Sequence, residues 1–519
     1  MVNEIQISLL PEQVFKKDQL LKAVSTFAKV DSERIKHIEI VKRSVDARRI
    51  PVKYQVKALV YIDEEFKEEI KAVFYKDVAK AKNTVVIIGS GPAGLFAALQ
   101  ALEQGVKPII FERGKDVRTR RKDLAIINKE GIVNPESNYC FGEGGAGTYS
   151  DGKLYTRSKK KGNVKRVLET LVFHGADTTI LVDAHPHIGT NKLPQLIANI
   201  REQILTSGGE IHFDSKMTDI LIEEGEVKGV LINDDQNIKC DNLILATGHS
   251  ARDIYFLLEK KGIKQEYKSF AMGVRVEHSQ SLIDEIQYKC KEGRGEFLPP
   301  ASYNLVQQTD GRGVYSFCMC PGGVIAPCAT SEGEVVTNGW SPSKRNNPFS
   351  NSGIVTEVRW EDIPAFHKHG PLAGLHFQRS VEQKCWEFAG KGQKVPAQRM
   401  VDFVEGVKSK DLPKTSYFPG VTSIQLSEVL PAFIIKALRE GFTSFKQKMK
   451  GYYTNEAVLH AVESRTSSPV RIPRDKETFE HVEVKGLYPV GEGAGYAGGI
   501  ISAAIDGQRC VEAIVKSFN

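Results

Sequence analysis

Residues 84–94 read TVVIIGSGPAG, an apolar strand running straight into the turn Gly89, Ser90, Gly91, Pro92, Ala93, Gly94. The segment LFAALQALEQG that follows has helical apolar spacing, and PIIFE then forms a second apolar strand ending on Glu112. A Gly-x-Gly-x-x-Gly turn set between strand and helix, with an acidic residue about 20 positions on, points to a βαβ unit that binds a dinucleotide. Gly89 permits the tight turn, Gly91 lets a pyrophosphate approach the backbone, and Gly94 lets the helix pack on the strand. Pro92 and Ala93 open the helix, whose N-terminus offers free N–H groups and a positive dipole end to phosphate. Glu112 can accept both hydroxyls of an adenosine ribose and would repel a 2′-phosphate there. Arg113 begins a basic run (Lys115, Arg118, Arg120, Arg121, Lys122) from which an arginine can reach the pyrophosphate. The alternative is a glycine-rich turn in an α/β domain that binds nothing.

A chain of 519 residues is too long for one core and is expected to form about two to four domains. Its 41% hydrophobic and 26% charged content is that of a globular protein, and a net charge of +7 does not call for nucleic acid. A second basic cluster, Arg157, Lys159, Lys160, Lys161, Lys165 and Arg166, reads as a solvated loop. No signal-peptide core opens the chain, and no stretch nears the ~18 apolar residues of a membrane span. The eight cysteines are scattered, with no Cys-x-x-Cys and no zinc spacing, so reduced thiols, no metal site and a cytoplasmic location are expected.

The fold class read from these patterns is α/β. A Rossmann-like three-layer ββα domain carries an inserted antiparallel substrate domain and a small N-terminal α+β domain. Residues 1–80 run strand, helix, strand, strand, and are assigned a ferredoxin-like α+β unit. Residues 81–264 form the first part of the dinucleotide domain, ending in a β-meander. From 265 to 414 the α/β rhythm breaks into an inserted cap over the substrate, and 415–519 return to the dinucleotide domain.

Three further segments bear on which dinucleotide is held. DNLILATG ends a strand on Thr247 and Gly248, a place where backbone closely approaches cofactor. LYPVGEGAGYAGGI delivers Gly491 and Glu492 to a turn and starts a helix near Gly499 and Ile500. The carboxylate can bond a ribityl or ribose hydroxyl, and the helix N-terminus can face the flavin edge where negative charge develops on reduction. FGEGGAGTYSDGKL places Gly142, Gly144 and Gly145 in a loop that needs a ligand or tight backbone contact to order it. Ser150, Asp151 and Lys153 would stand at its flavin end.

TVVIIGSGPAG with FER, FGEGGAGTYSDGKL, ILATGHSARD, VESRTSSPVRI and GLYPVGEGAGYAGGI together resemble bacterial FAD-dependent dehydrogenases of uncharacterised substrate, within the glutathione-reductase-type flavoprotein superfamily. The resemblance spans nearly the whole chain. It implies FAD as cofactor, with Gly89, Gly91, Gly94, Glu112, the loop from Gly142, Thr247, Gly248, Gly491 and Glu492 as contacts. In the last motif Gly-Glu stands where the superfamily commonly has Gly-Asp.

The residues beside a flavin leave its substrate open. Cys318 and Cys320 fall two apart on a strand and read as buried core thiols, with a redox pair as the alternative. Glu463, Arg465, Arg471 and Arg474 form either an anion site or an ion-pair network. His249 and Arg252 follow the Ala-Thr-Gly turn. No second nicotinamide-binding unit is present, so NAD(P)H, if it is the donor, docks transiently. The function read is an FAD-dependent oxidoreductase moving a hydride between flavin and a small molecule. A flavin monooxygenase and a flavin-bearing RNA-modifying or RNA-binding protein are the alternatives.

Overall fold

The computed structural model describes residues 1–67, 73–155 and 162–518, so Arg157 and Lys159 to Lys161 of the second basic cluster lie outside the described residues. The β-branched run Thr84–Ile88 is buried from its second residue on and forms the middle of a five-stranded parallel sheet. The sheet order is Leu487–Pro489, Leu243–Leu245, Thr84–Ile88, Lys107–Phe111, Glu210–His212. Ile88 lies level with both Leu245 and Phe111, so three strands end at one edge, where an open α/β sheet leaves its ligand crevice.

Helices Pro92–Gln104, Leu193–Thr206 and Ile500–Ser517 cover one face, burying Leu99, Ile200 and Ile505 with Ile87 and Ile244. Gly507 sits where a Cβ would lie 2.1 Å from the carbonyl oxygen of Ala93, which lets the last helix cross the first in close contact. The opposite face is covered by an antiparallel meander (Met217–Glu223, Glu226–Ile232, Gln236–Lys239) whose Ile220, Val230 and Ile232 pack on Val86, Phe111 and Leu245. These are the three ββα layers expected.

The second sheet has seven strands, in the order Val306–Thr309, Arg312–Cys320, Phe349–Val358, Phe270–Ser279, Val458–Glu463, Val395–Arg399, Val421–Ser423. All its pairings are antiparallel except the last. This moves the boundary placed at 414: the insertion runs on to Glu463. Helix Ala432–Lys448 buries Ile434, Leu438, Phe442 and Phe445 against this sheet, not against the parallel one. Gly441 is the contact point, since a Cβ there would meet the Val314 side chain at 2.6 Å.

At the N-terminus, Val2–Leu9 and Ile35–Asp46 flank Lys53–Ile62 in an antiparallel sheet, with helix Lys17–Ala28 laid across it. Alternation in Lys53–Ile62 puts Tyr54, Val56, Ala58, Val60 and Ile62 on the buried face. Three strands form among the described residues, one short of the four in a ferredoxin-like domain. Arg43 pairs with Asp183, and its backbone brackets Val182 and Ala184. Arg48 is paired with Asp46. Tyr54 donates to the carbonyl of Phe297 at 3.0 Å, tying this unit to the second domain. No helix among the described residues is long and apolar enough to cross a membrane.

Candidate cofactor site and active site

The glycine turn closes as its spacing requires. Gly89 has φ +101°, and a Cβ there would lie 2.6 Å from the carbonyl oxygen of Ala246. A Cβ on Gly94 would stand 2.0 Å from the Gly89 carbonyl oxygen, so helix and strand meet only through glycine. Gly91 differs: it caps helix Pro92–Gln104 with no side-chain bond, and a Cβ would meet nothing closer than Gly145 Cα at 3.9 Å. The first-turn N–H groups therefore face open space beside Gly91.

That space is a cleft of about 380 Å³, within the range of cofactor sites. Gly89, Gly91, Pro92, Ala93, Glu112, Arg113, Gly145, Thr247, Gly248, Gly491, Glu492, Gly499 and Ile500 line it, from segments up to four hundred residues apart in the chain. Gly94, Gly142 and Gly144 stand behind the wall. Gly142 (φ +110°) leaves space for Arg120, and Gly144 (φ +77°) for Thr148 and Ile197. Their role is to fold the 142–154 loop so that Gly145 lies against Gly91.

One end of the cleft is formed by Phe111, Glu112, Arg113, Phe141, Ser215 and Met217. Glu112 is buried, and its carboxylate accepts from Ser90 N–H (2.9 Å), Ser90 Oγ–H (2.8 Å), Gly114 N–H (2.9 Å) and Gly142 N–H (3.0 Å). Both oxygens are thus already engaged, and the residue clamps three loops together around the turn. Arg113 is held by Asp253 at 2.6 Å and lies over the Phe141 ring, at this end and not beside the helix N-terminus.

The other end is formed by Lys153, His249, Phe317, Cys318, Asn338, Gly339, Glu492 and the start of helix Ile500–Ser517. Gly499 (φ +140°) caps that helix without a side-chain bond, so a second set of free N–H groups faces the cleft. Burial, reinforced by Arg465, Lys268 and Arg252, lowers the His249 pKa to about 4, leaving a neutral imidazole 3.6 Å from Glu492. Burial also raises Glu492 above the usual carboxylate range.

The arginine cluster of 463–474 is structural. Arg465 donates to Glu334 (2.6 Å), Thr330 (2.7 Å) and Glu382, and Arg252 joins the same two carboxylates at 3.0 and 2.7 Å. Glu463 and Arg275 form a buried bidentate pair with two 2.7 Å bonds. Arg474 is paired with Asp506 (2.6 and 2.9 Å), which also accepts the N–H of Gly491. Arg471 stands over the Tyr496 ring. Arg465 and Arg474 have no charge free for an anion, although Arg465 touches the cleft.

Reading Cys318 and Cys320 as two buried strand thiols is half right. Cys320 is buried, but Cys318 is half-buried on the cleft wall with φ +46°, where the strand loses register with its partner. Phe317, Asn338 and Gly339 also escaped sequence reading. They belong to the second domain and reach the cleft only through its docking, for which no local pattern exists. No group of three His, Cys, Asp or Glu side chains suited to a metal ion occurs among the described residues.

A bound dinucleotide fits this wall. Two uncapped helix N-termini suit its anionic parts. A Cβ on Gly248, Gly498 or Gly499 would meet no protein atom within 4 Å, so the backbone there is bare toward the cleft. The family profile "Pyridine nucleotide-disulphide oxidoreductase" matches residues 83–267, "FAD-dependent protein, C-terminal domain-like" matches 269–466, and a domain of unknown function matches 1–61. An uncharacterized protein of Clostridium beijerinckii is 39% identical over 537 residues, spanning 100% of this chain and 99% of that one. The thiamine thiazole synthase of Aeropyrum pernix is 24% identical over 42% of this chain and 73% of its own length. The solved structure of the flavin-dependent brominase Bmp2 aligns at TM-score 0.37 and 12% identity, over 83% of this chain and 78% of that one. The chain belongs to the family of FAD-dependent oxidoreductases, and FAD is its cofactor.

Proposed function

We propose that this flavoenzyme is a dehydrogenase or reductase of the glutathione-reductase-type superfamily, acting on a small molecule held between the flavin end of the cleft and the second domain. The observation that carries the reading is the make-up of that end. Phe317, Cys318, Asn338 and Gly339 of the inserted domain face Lys153, His249 and Glu492 of the dinucleotide domain. A cofactor lying along the wall places its AMP half near Phe111–Arg113, its pyrophosphate at Gly91 and the helix start, and its ring beneath the insertion.

FAD supplies two-electron redox chemistry there; the chain supplies position, electrostatics and exclusion of water. The first-turn N–H groups of helix Ile500–Ser517 favour negative charge at the ring edge, while the Gly499 N–H is taken by Glu492. His249, neutral at pH 7, can donate a hydrogen bond from one ring nitrogen and accept one at the other, with Glu492 beside it. NAD(P)H, as donor, would enter the same cleft transiently, since no second dinucleotide unit forms among the described residues. A cytoplasmic site of action and no nucleic-acid partner complete the proposal.

Anaerobic mixing with NADH and with NADPH tests it, followed by a metabolite screen for reoxidation. Bleaching of the flavin by either, with reoxidation by an organic acceptor, is the expected result. Reoxidation only by O₂ with hydroxylated product would replace it with a monooxygenase.

A further inference from the structure

The two sulfurs at the cleft share one cation: Lys153 Nζ lies 3.6 Å from Cys318 Sγ and 3.5 Å from Cys320 Sγ. In a regular strand, side chains two apart stand about 6.6 Å from each other, beyond the reach of a disulfide, which needs Cβ atoms about 3.8 Å apart. This strand is not regular there. The left-handed backbone at Cys318 and the slipped register turn it back, and Cys320 Sγ comes within 3.2 Å of the Cys318 carbonyl oxygen. A β-strand has no packing reason to place a non-glycine residue in that conformation, and such outliers gather at functional sites.

The surroundings are those of a reactive thiol. The Cys320 thiol, and then the Lys153 and Arg275 cations, hold Cys318 below the usual thiol range, while Cys320 is raised. Lys153 keeps its charge because Asp151, Cys318 and Cys320 outweigh its burial. Asp151 is itself fixed by Arg345 at 2.6 Å. One sulfur faces the cleft and one lies behind it, the arrangement of an attacking and a resolving cysteine.

We infer that Cys318 and Cys320 form a second two-electron centre, a dithiol–disulfide couple that exchanges electrons with the flavin in the same cleft. In the oxidising direction both S–H bonds are lost and one S–S bond forms between the two residues. The two electrons and two protons released convert FAD to FADH₂, and the reverse step regenerates the dithiol. Lys153 is a positioning residue that steadies the sulfur anion.

The inference rests on the flavin lying as proposed, and the test separates the two. Holoprotein is oxidised with diamide, freed of reagent, and its thiols are counted after denaturation. The count is expected to fall by two from the eight cysteines of the chain, with the peptide carrying residues 318 and 320 lighter by two hydrogens. Anaerobic dithionite titration should then take four electrons per FAD in the native protein and two in Cys320→Ser. In Lys153→Met, alkylation of Cys318 should need a higher pH. Eight thiols after oxidation together with two electrons per FAD would overturn the inference, and neither measurement needs a variant. Protein that loses two thiols but carries no flavin would contradict the cofactor placement while leaving the pair intact.

Discussion

Replacing Gly91 by glutamate separates cofactor binding from folding. Gly91 has φ −72° and ψ −177°, values open to any residue, and its Cβ position is 3.9 Å from the nearest atom. A side chain can therefore be accommodated without moving the fold, and a carboxylate at a helix N-terminus is favoured by the dipole. Stability of the flavin-free protein should stay within about 0.5 kcal/mol of the native chain. Binding is another matter. The side chain enters the cleft where the pyrophosphate lies, and a unit negative charge about 4 Å from another costs roughly 4 kcal/mol at an effective dielectric of 20. That is about a thousandfold in affinity, before counting the lost volume. The assay is the flavin-to-protein ratio after desalting, with fluorescence titration of FAD into apoprotein and thermal unfolding of the same sample. Gly94→Ala is the counterpart: its Cβ would sit 2.0 Å from the Gly89 carbonyl oxygen, so this variant should lose stability whether or not FAD is present. A folded Gly91→Glu protein that purifies with a full complement of FAD would mean that the pyrophosphate does not lie at Gly91.

Further expectations follow from buried charge. Glu382→Leu leaves Arg252 and Arg465 sharing Glu334 alone, and should cost about 3–5 kcal/mol in denaturant unfolding of the second domain; an unchanged midpoint would mean the network carries no stability. Burial raises Glu277 to about 7, with Ser416 donating to its carboxylate. The folded state then keeps a proton that the unfolded chain sheds near pH 4.3, so stability should fall as pH rises from about 4.5 to 7 and level off above, by roughly 3.5–4 kcal/mol. Glu277→Gln should flatten that slope in urea midpoints measured across the range. Phe442→Ala opens a cavity between helix Ala432–Lys448 and its sheet, and should cost about 3–5 kcal/mol, with the flavin still bound at low denaturant.

What could be read from the sequence were features whose partners lie close in the chain. The strand, turn and helix around Gly89–Gly94 are contiguous, and the alternation of Lys53–Ile62 is a local record of one buried face. The end of the insertion was harder to place because the apolar stripe of Ala432–Lys448 looks the same whichever sheet it covers. The roles of Arg465 and Arg252 were hidden for a similar reason, since Glu334 and Glu382 come from distant segments. Glu112 lines the cleft at the position its spacing suggests, yet its bonds to Ser90, Gly114 and Gly142 emerge only when the loops close. Cys318 was misread because a strand pattern assumes extended backbone, and the left-handed residue inside it leaves no mark on the sequence.

In the proposed arrangement one cleft holds FAD lengthwise, its adenosine at Phe111–Arg113 and its ring beneath the insertion. A crystal structure of the FAD-loaded protein tests this most directly. The pyrophosphate is expected at the Gly91 helix start and the isoalloxazine ring between Gly499–Ile500 and Cys318. Density for the ring at the Phe111–Arg113 end, or for FAD outside this cleft, would contradict it.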